Sequence, residues 1–114
     1  MSEKNHGNPL PAARATEFIR NKVSIHLEIL WTHHAKQQMA ERDLIMGDVT
    51  HVLKHGFVFE DGEPATQPGL FKYKMDCSTP NSNGRDVRVV VIPYQSCMVK
   101  IVTVMWVDED RQRG

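Results

Sequence analysis

The sequence predicts a single two-layer α+β domain, with N-terminal helices packed on one face of an antiparallel sheet of about four to five strands. Three observations lead there. Apolar residues recur at helical spacing through the first half of the chain and switch to strict alternation after Gly56. Helical and strand segments are segregated, in the order helix, strand, two helices, run of strands, where a parallel α/β fold would alternate them. At 114 residues, with 40% hydrophobic and 25% charged, the chain has material for one core and not for two.

Residues 1–11, rich in Asn, Gly and Pro, have no periodicity and are expected to be a disordered lead-in to a domain spanning 12–107. From Ala12 to about Lys22, the spacing of Ala15, Phe18, Ile19 and Val23 predicts a first helix. His26 to Trp31 alternates as a short strand. Thr32 is placed to cap a second helix running to Arg42, with Ala35 and Met39 on its apolar strip. A third helix, Met46 to His55, gathers Ile45, Met46, Val49, Val52 and Leu53 on one face and ends at Gly56, where a left-handed glycine cap is expected. His51 and His55 share the spacing of a metal pair, yet they point away from that apolar face with no third ligand nearby, which predicts a solvated face and no metal.

Beyond Gly56, Phe57 to Glu60 is a short strand and Asp61 to Gly69 a loop. Leu70 to Cys77 alternates, with Phe71, Tyr73 and Met75 on one face and Lys72, Lys74 and Asp76 on the other. A hairpin turn over Ser78 to Arg85 leads into Val87 to Pro93, and Tyr94 to Cys97 connects to Met98 to Val107. These last strands are apolar on both faces, as in the centre of a sheet, so the face without helices needs cover from the first helix or from a second copy of the chain. The charged residues 108–114 are expected to fray as a flexible tail.

Fourteen basic residues balance fourteen acidic ones, so nucleic-acid binding through bulk charge is excluded and any such function requires a local patch. The most basic window lies between Gly69 and Arg88, where Lys72, Lys74, Arg85 and Arg88 face Asp76 and Asp86. No apolar run is long enough to span a membrane, and residues 1–11 are too polar for a secretory leader, which together predict a cytoplasmic protein. Cys77 and Cys97 lack zinc or dithiol spacing and are expected to be reduced thiols. No cofactor motif is present.

The residues Thr32, His33, His34, Ala35, then Met39, Ala40, Glu41, Arg42, Asp43, Leu44, followed by Asp48, Val49, Val52, Leu53 and Gly56, resemble the bacterial domain-of-unknown-function family known as DUF4258. The strands Asp86 to Ile92 and Lys100 to Val104 also fit its pattern, with Thr103 at the family's threonine. Two positions depart from it: Gln38 stands where arginine is usual, and Ile45 where a small polar residue caps the third helix. The resemblance implies a fold similar to the RelE and BrnT toxins, ribonuclease-like domains in which one sheet face receives RNA. In that wider group the ribose 2′-hydroxyl attacks the adjacent phosphate without a metal.

Such a reaction needs a proton acceptor, a proton donor and a cation beside the phosphate. The candidates are His34 for acid or base work, Arg42 and Arg88 as planar phosphate forks, and Lys72, Tyr73 and Lys74 for substrate binding, the tyrosine by stacking on a base. Against this, His34 suits backbone bonding at a helix start, Arg42 a corner contact, and the lysine pair a solubilised edge. Two readings follow. One is a small toxin-type, metal-independent endoribonuclease with an antitoxin partner; the other is a non-catalytic module of the same fold, monomeric or homodimeric, that binds protein or RNA.

Overall fold

A computed structural model describes residues 8–25, 28–94 and 98–112. The order of elements is α1 (Ala12–Ile25), β1 (Glu28–Trp31), α2 (His33–Arg42), α3 (Met46–His55), β2 (Phe57–Val58), β3 (Glu63–Pro64), β4 (Phe71–Ser78), β5 (Asp86–Pro93), β6 (Met98–Trp106) and α4 (Val107–Gln112). The α+β class holds, and the sheet is larger and less uniform than four or five antiparallel strands. Six strands take part, in the order β1-β6-β5-β4-β2 with β3 also on β4, and β1 runs parallel to β6. Alternation cannot reveal that direction, because the same inward and outward pattern serves either orientation.

One core lies between the helices and the sheet. Ala15 and Ile19 of α1, Ala35 and Met39 of α2, and Val49, Val52 and Leu53 of α3 pack on Tyr73 and Met75 of β4, Val87, Val89 and Val91 of β5, and Val99, Ile101 and Val104 of β6. Each strand contributes alternate residues to that layer, so the intervening residues form a second sheet face on the side away from these helices. Ile45 and Met46, expected on the apolar face of α3, are instead 57% and 51% exposed, because they precede the first turn that meets the sheet.

Several local expectations are corrected by geometry. Gly56 is extended (φ −77°), and what demands glycine is space: a Cβ there would lie 2.6 Å from the Val52 carbonyl oxygen. The left-handed helix cap is Asp43 at the end of α2 (φ 56°), where a short polar side chain tolerates that conformation. Residues 108–112, expected to fray, belong to α4. Of the lead-in, residues 1–7 lie outside the described residues, as does Cys97; Leu10 packs against the core and its N–H donates to the Tyr73 hydroxyl at 2.8 Å.

The edge of β2 and the free part of β6 are each capped by a side chain. The outward N–H of Val58 on β2 donates to Thr16 Oγ1 of α1 (2.9 Å). On β6, beyond the end of β1, the Val104 N–H donates to Gln38 Oε1 (3.0 Å) and the Trp106 N–H to Glu109 Oε2 (2.9 Å). Covering strand edges in this way blocks edge-to-edge association. Between Val90/Thr103 and Val91/Ile101 the register shifts, leaving Val102 as the extra residue of a β-bulge. No helix among the described residues is long and apolar enough to cross a membrane.

Candidate functional site

The three residues proposed to share a catalytic centre do not converge. His34 is exposed near the start of α2 and Arg42 ends the same helix, eight residues on, so the two are separated by about 12 Å along the axis. Arg88 alternates with buried Val87 and Val89, which sends its side chain to the sheet face opposite α2. The sheet stands between Arg88 and the other two.

Both arginines are also committed to carboxylates. Arg42 holds Glu109 of α4 with two bonds, Nε to Oε2 at 2.8 Å and Nη2 to Oε1 at 2.9 Å, and also reaches Glu41 and the Gln38 carbonyl. The Glu109 bond, strengthened by its charge, raises the guanidinium pKa against the opposing effect of burial, and the same pair lowers the pKa of Glu109. Arg88 forms an equivalent fork with Asp76, at 2.9 and 3.0 Å. Arg85 pairs with Asp108 through two further bonds and stacks on Trp106, 4.0 Å from the ring centroid. Fork-to-carboxylate pairing of this kind anchors structure before it offers a phosphate site.

Tyr73 cannot stack on a base. It is 4% exposed, sits in the core, and has Gly62 against its ring where any side chain would collide. Burial raises the pKa of its hydroxyl, and acceptance of the Leu10 N–H opposes that shift. The alternation that sends Lys72 and Lys74 outward sends Tyr73 inward.

The open sheet face does assemble a group of cations. Lys100 pairs with Ile92 across β5–β6 and with Leu30 of β1, and Lys72 stands on β4 opposite Glu63 of β3, one residue before Tyr73, which pairs with Val91. Lys74, Val90 and Thr103 form the next row, and Asp76, Arg88 and Met105 the one after. Lys74 lies 3.6 Å from Glu60, whereas Lys72 and Lys100 have no ion pair among the described residues. Lys72, Lys74, Val90, Val102 and Thr103 line one shallow pocket there, rimmed by Glu60, Asp61 and Glu63. At the far end of the face an open groove of about 620 Å³ is bounded by Phe57, Phe59, Asp86, Arg88 and Val107. Lys100, Phe57, Phe59 and Asp86 escaped the sequence reading, since only strand register brings them to the same face.

Asp48 has a structural task. Its carboxylate, 2% exposed, accepts from the Ile45 N–H (2.9 Å), the Thr79 hydroxyl (2.6 Å) and the Asn81 amide (3.1 Å). Burial alone would raise its pKa; the three donors outweigh that and hold it below the usual carboxylate range. The Ile45 contact supplies the reciprocal half of a capping box, which replaces the missing polar cap at that position. Gln38 likewise acquires a purpose: its amide oxygen accepts a backbone N–H, and an arginine has no acceptor to offer.

Helices α1–α3 on one face of a six-stranded mixed sheet, with lysines on the partly covered opposite face, define a small α+β protein. The family's sequence profile, described as Domain of unknown function (DUF4258), matches residues 31–106, and the chain belongs to that family. No curated protein and no solved structure gives a significant match.

Proposed function

We propose that this protein is an RNA-binding module whose open sheet face takes single-stranded RNA, as the RelE/BrnT-like resemblance suggests, and that it binds without cutting. The observation that carries the reading is the group Lys72, Lys74 and Lys100 on the sheet face that α1–α3 leave uncovered. Lys72 and Lys100 make no ion pair among the described residues, although Glu60, Asp61 and Glu63 line the pocket beside Lys72, while Arg42, Arg85 and Arg88 are each held by a carboxylate fork. Phosphates are therefore matched to lysines, whose long stems also cover the valines between them. Every histidine among the described residues is on a helix, so none of them stands on the open face to move a proton between a ribose hydroxyl and a leaving oxygen.

Anisotropy of a short fluorescent single-stranded RNA, titrated at low ionic strength, tests this reading. Binding is expected to weaken with salt with a log–log slope of about −2, as for three engaged phosphates. The double variant Lys72→Glu, Lys100→Glu is expected to bind about tenfold more weakly or worse, with an unchanged far-UV circular dichroism spectrum. No binding at low salt, or full affinity in the double variant, overturns the proposal. RNA cut by the parent protein and left intact by the double variant overturns its non-catalytic part and restores the endoribonuclease reading.

A further inference from the structure

The groove at the end of the open face has features that the lysine row does not use. Phe57 and Phe59 are 50% and 68% exposed, with ring centroids 6.1 Å apart and planes tilted by 38°. Large apolar rings held this openly are unusual on a protein surface unless they meet a ligand. The guanidinium of Arg20 covers one face of the Phe57 ring, 4.5 Å from its centroid, and is itself fixed by the carbonyls of His55 and Gly56. That leaves Phe59 as the freer platform. Asp86 lines the same groove, is exposed, and makes no side-chain hydrogen bond or ion pair among the described residues. Asp76, by contrast, is spent on Arg88.

A flat π-surface and an unpaired carboxylate lining one groove are together the complement of a nucleobase that presents two adjacent donors. Guanine alone does so on its Watson–Crick edge, with N1–H and the N2 amino group side by side. Adenine and cytosine place an acceptor next to their amino group, and uracil flanks its single N–H with two carbonyls, so each would set a lone pair against a carboxylate oxygen. The groove starts at the Asp76–Arg88 row, which follows the Lys74 row on the same face, so a strand that runs from the lysines along the sheet reaches it. We infer that the Phe57–Phe59–Asp86 groove is a guanine-binding subsite, Phe59 stacking on the base and Asp86 accepting from its N1–H and N2 amino groups. The inference rests on the RNA-binding reading and adds a base preference to it.

Three fluorescent oligonucleotides test it: all-uridine, and the same strand with one central guanosine or one central adenosine. The guanosine strand is expected to bind about tenfold more tightly than the other two, the discrimination typical of one good bidentate pair. Asp86→Asn is expected to abolish that preference and, having lost a negative charge, to bind the all-uridine strand at least as tightly as the parent. Phe59→Ala is expected to cost about tenfold on the guanosine strand. Equal affinity for the three strands, or a preference that survives Asp86→Asn, overturns the guanine subsite; if the all-uridine strand still binds with salt dependence, the RNA reading stands. If none of the strands binds, guanosine monophosphate alone is titrated and the Phe59 and Asp86 amide resonances followed. Shifts at both, lost in Asp86→Asn, uphold the subsite while the lysine-row reading fails, and their absence overturns both.

Discussion

Asp48 ties the start of α3 to the β4–β5 turn by three hydrogen bonds at a buried carboxylate. Asp48→Asn turns one acceptor into an amide that faces a donor, so a loss of about 2–3 kcal/mol is expected, measured from urea unfolding midpoints at neutral pH. The sign of the pH effect follows from the lowered pKa. The native carboxylate binds its proton less readily than the unfolded one, so the Asp48 contribution is complete above the unfolded value near 4 and is lost as pH falls through the native value. The parent is therefore expected to lose stability steeply in acid, and the Asn variant to lose less over the same range. At this scale the sequence is a partial guide. It marks Asp48 as part of a family-like pattern, yet its partners Thr79 and Asn81 come from a distant turn that no local rule connects to it. For Tyr73, alternation alone points to the face opposite the lysines, so an aromatic between two cations in sequence does not lie between them in space.

The helices show what local patterning can and cannot carry. Thr32, α2 and α3 are legible to the residue, because caps and a 3.6-residue period act within a few positions of themselves. The parallel pairing of β1 and the helical turn of α4 are not, since both depend on contacts distant in sequence. β1 meets β6 some seventy residues away, and the short α4 has no apolar stripe but grips Arg42 through Glu109. A six-residue helix has little stability of its own. Glu109→Ala removes both the Arg42 fork and the acceptor for the Trp106 N–H. Its expected cost is about 1–1.5 kcal/mol, limited because both side chains keep some contact with water. Faster amide exchange is expected through residues 104–112, with protection in β4 and β5 unchanged; slower opening there would contradict the role of Glu109 as the clasp.

Across the whole molecule, a net charge of zero conceals a separation of roles. Arg42, Arg85 and Arg88 are locked into carboxylate pairs that hold elements together, while Lys72 and Lys100 on the open face make no ion pair among the described residues. The shape of that face depends on the bulge at Val102. Val99 and Ile101 point to the core on one side of it and Val104 on the other, so the bulge changes the parity of β6 midway and leaves Val102 and Thr103 together on the open face. Removing Val102 would restore plain alternation while keeping every other residue of β6 on its present face. Deletion of this one codon is accordingly expected to yield a folded protein, melting within a few degrees of the parent, with a less twisted sheet and weaker RNA binding. An unfolded product would show instead that the bulge is required for assembly. In the history of a gene, most single-residue losses within a strand exchange inside for outside and are eliminated. Position 102 is expected to be a place where such a loss is silent for folding, so that length changes there would reshape the open face while leaving the core in register.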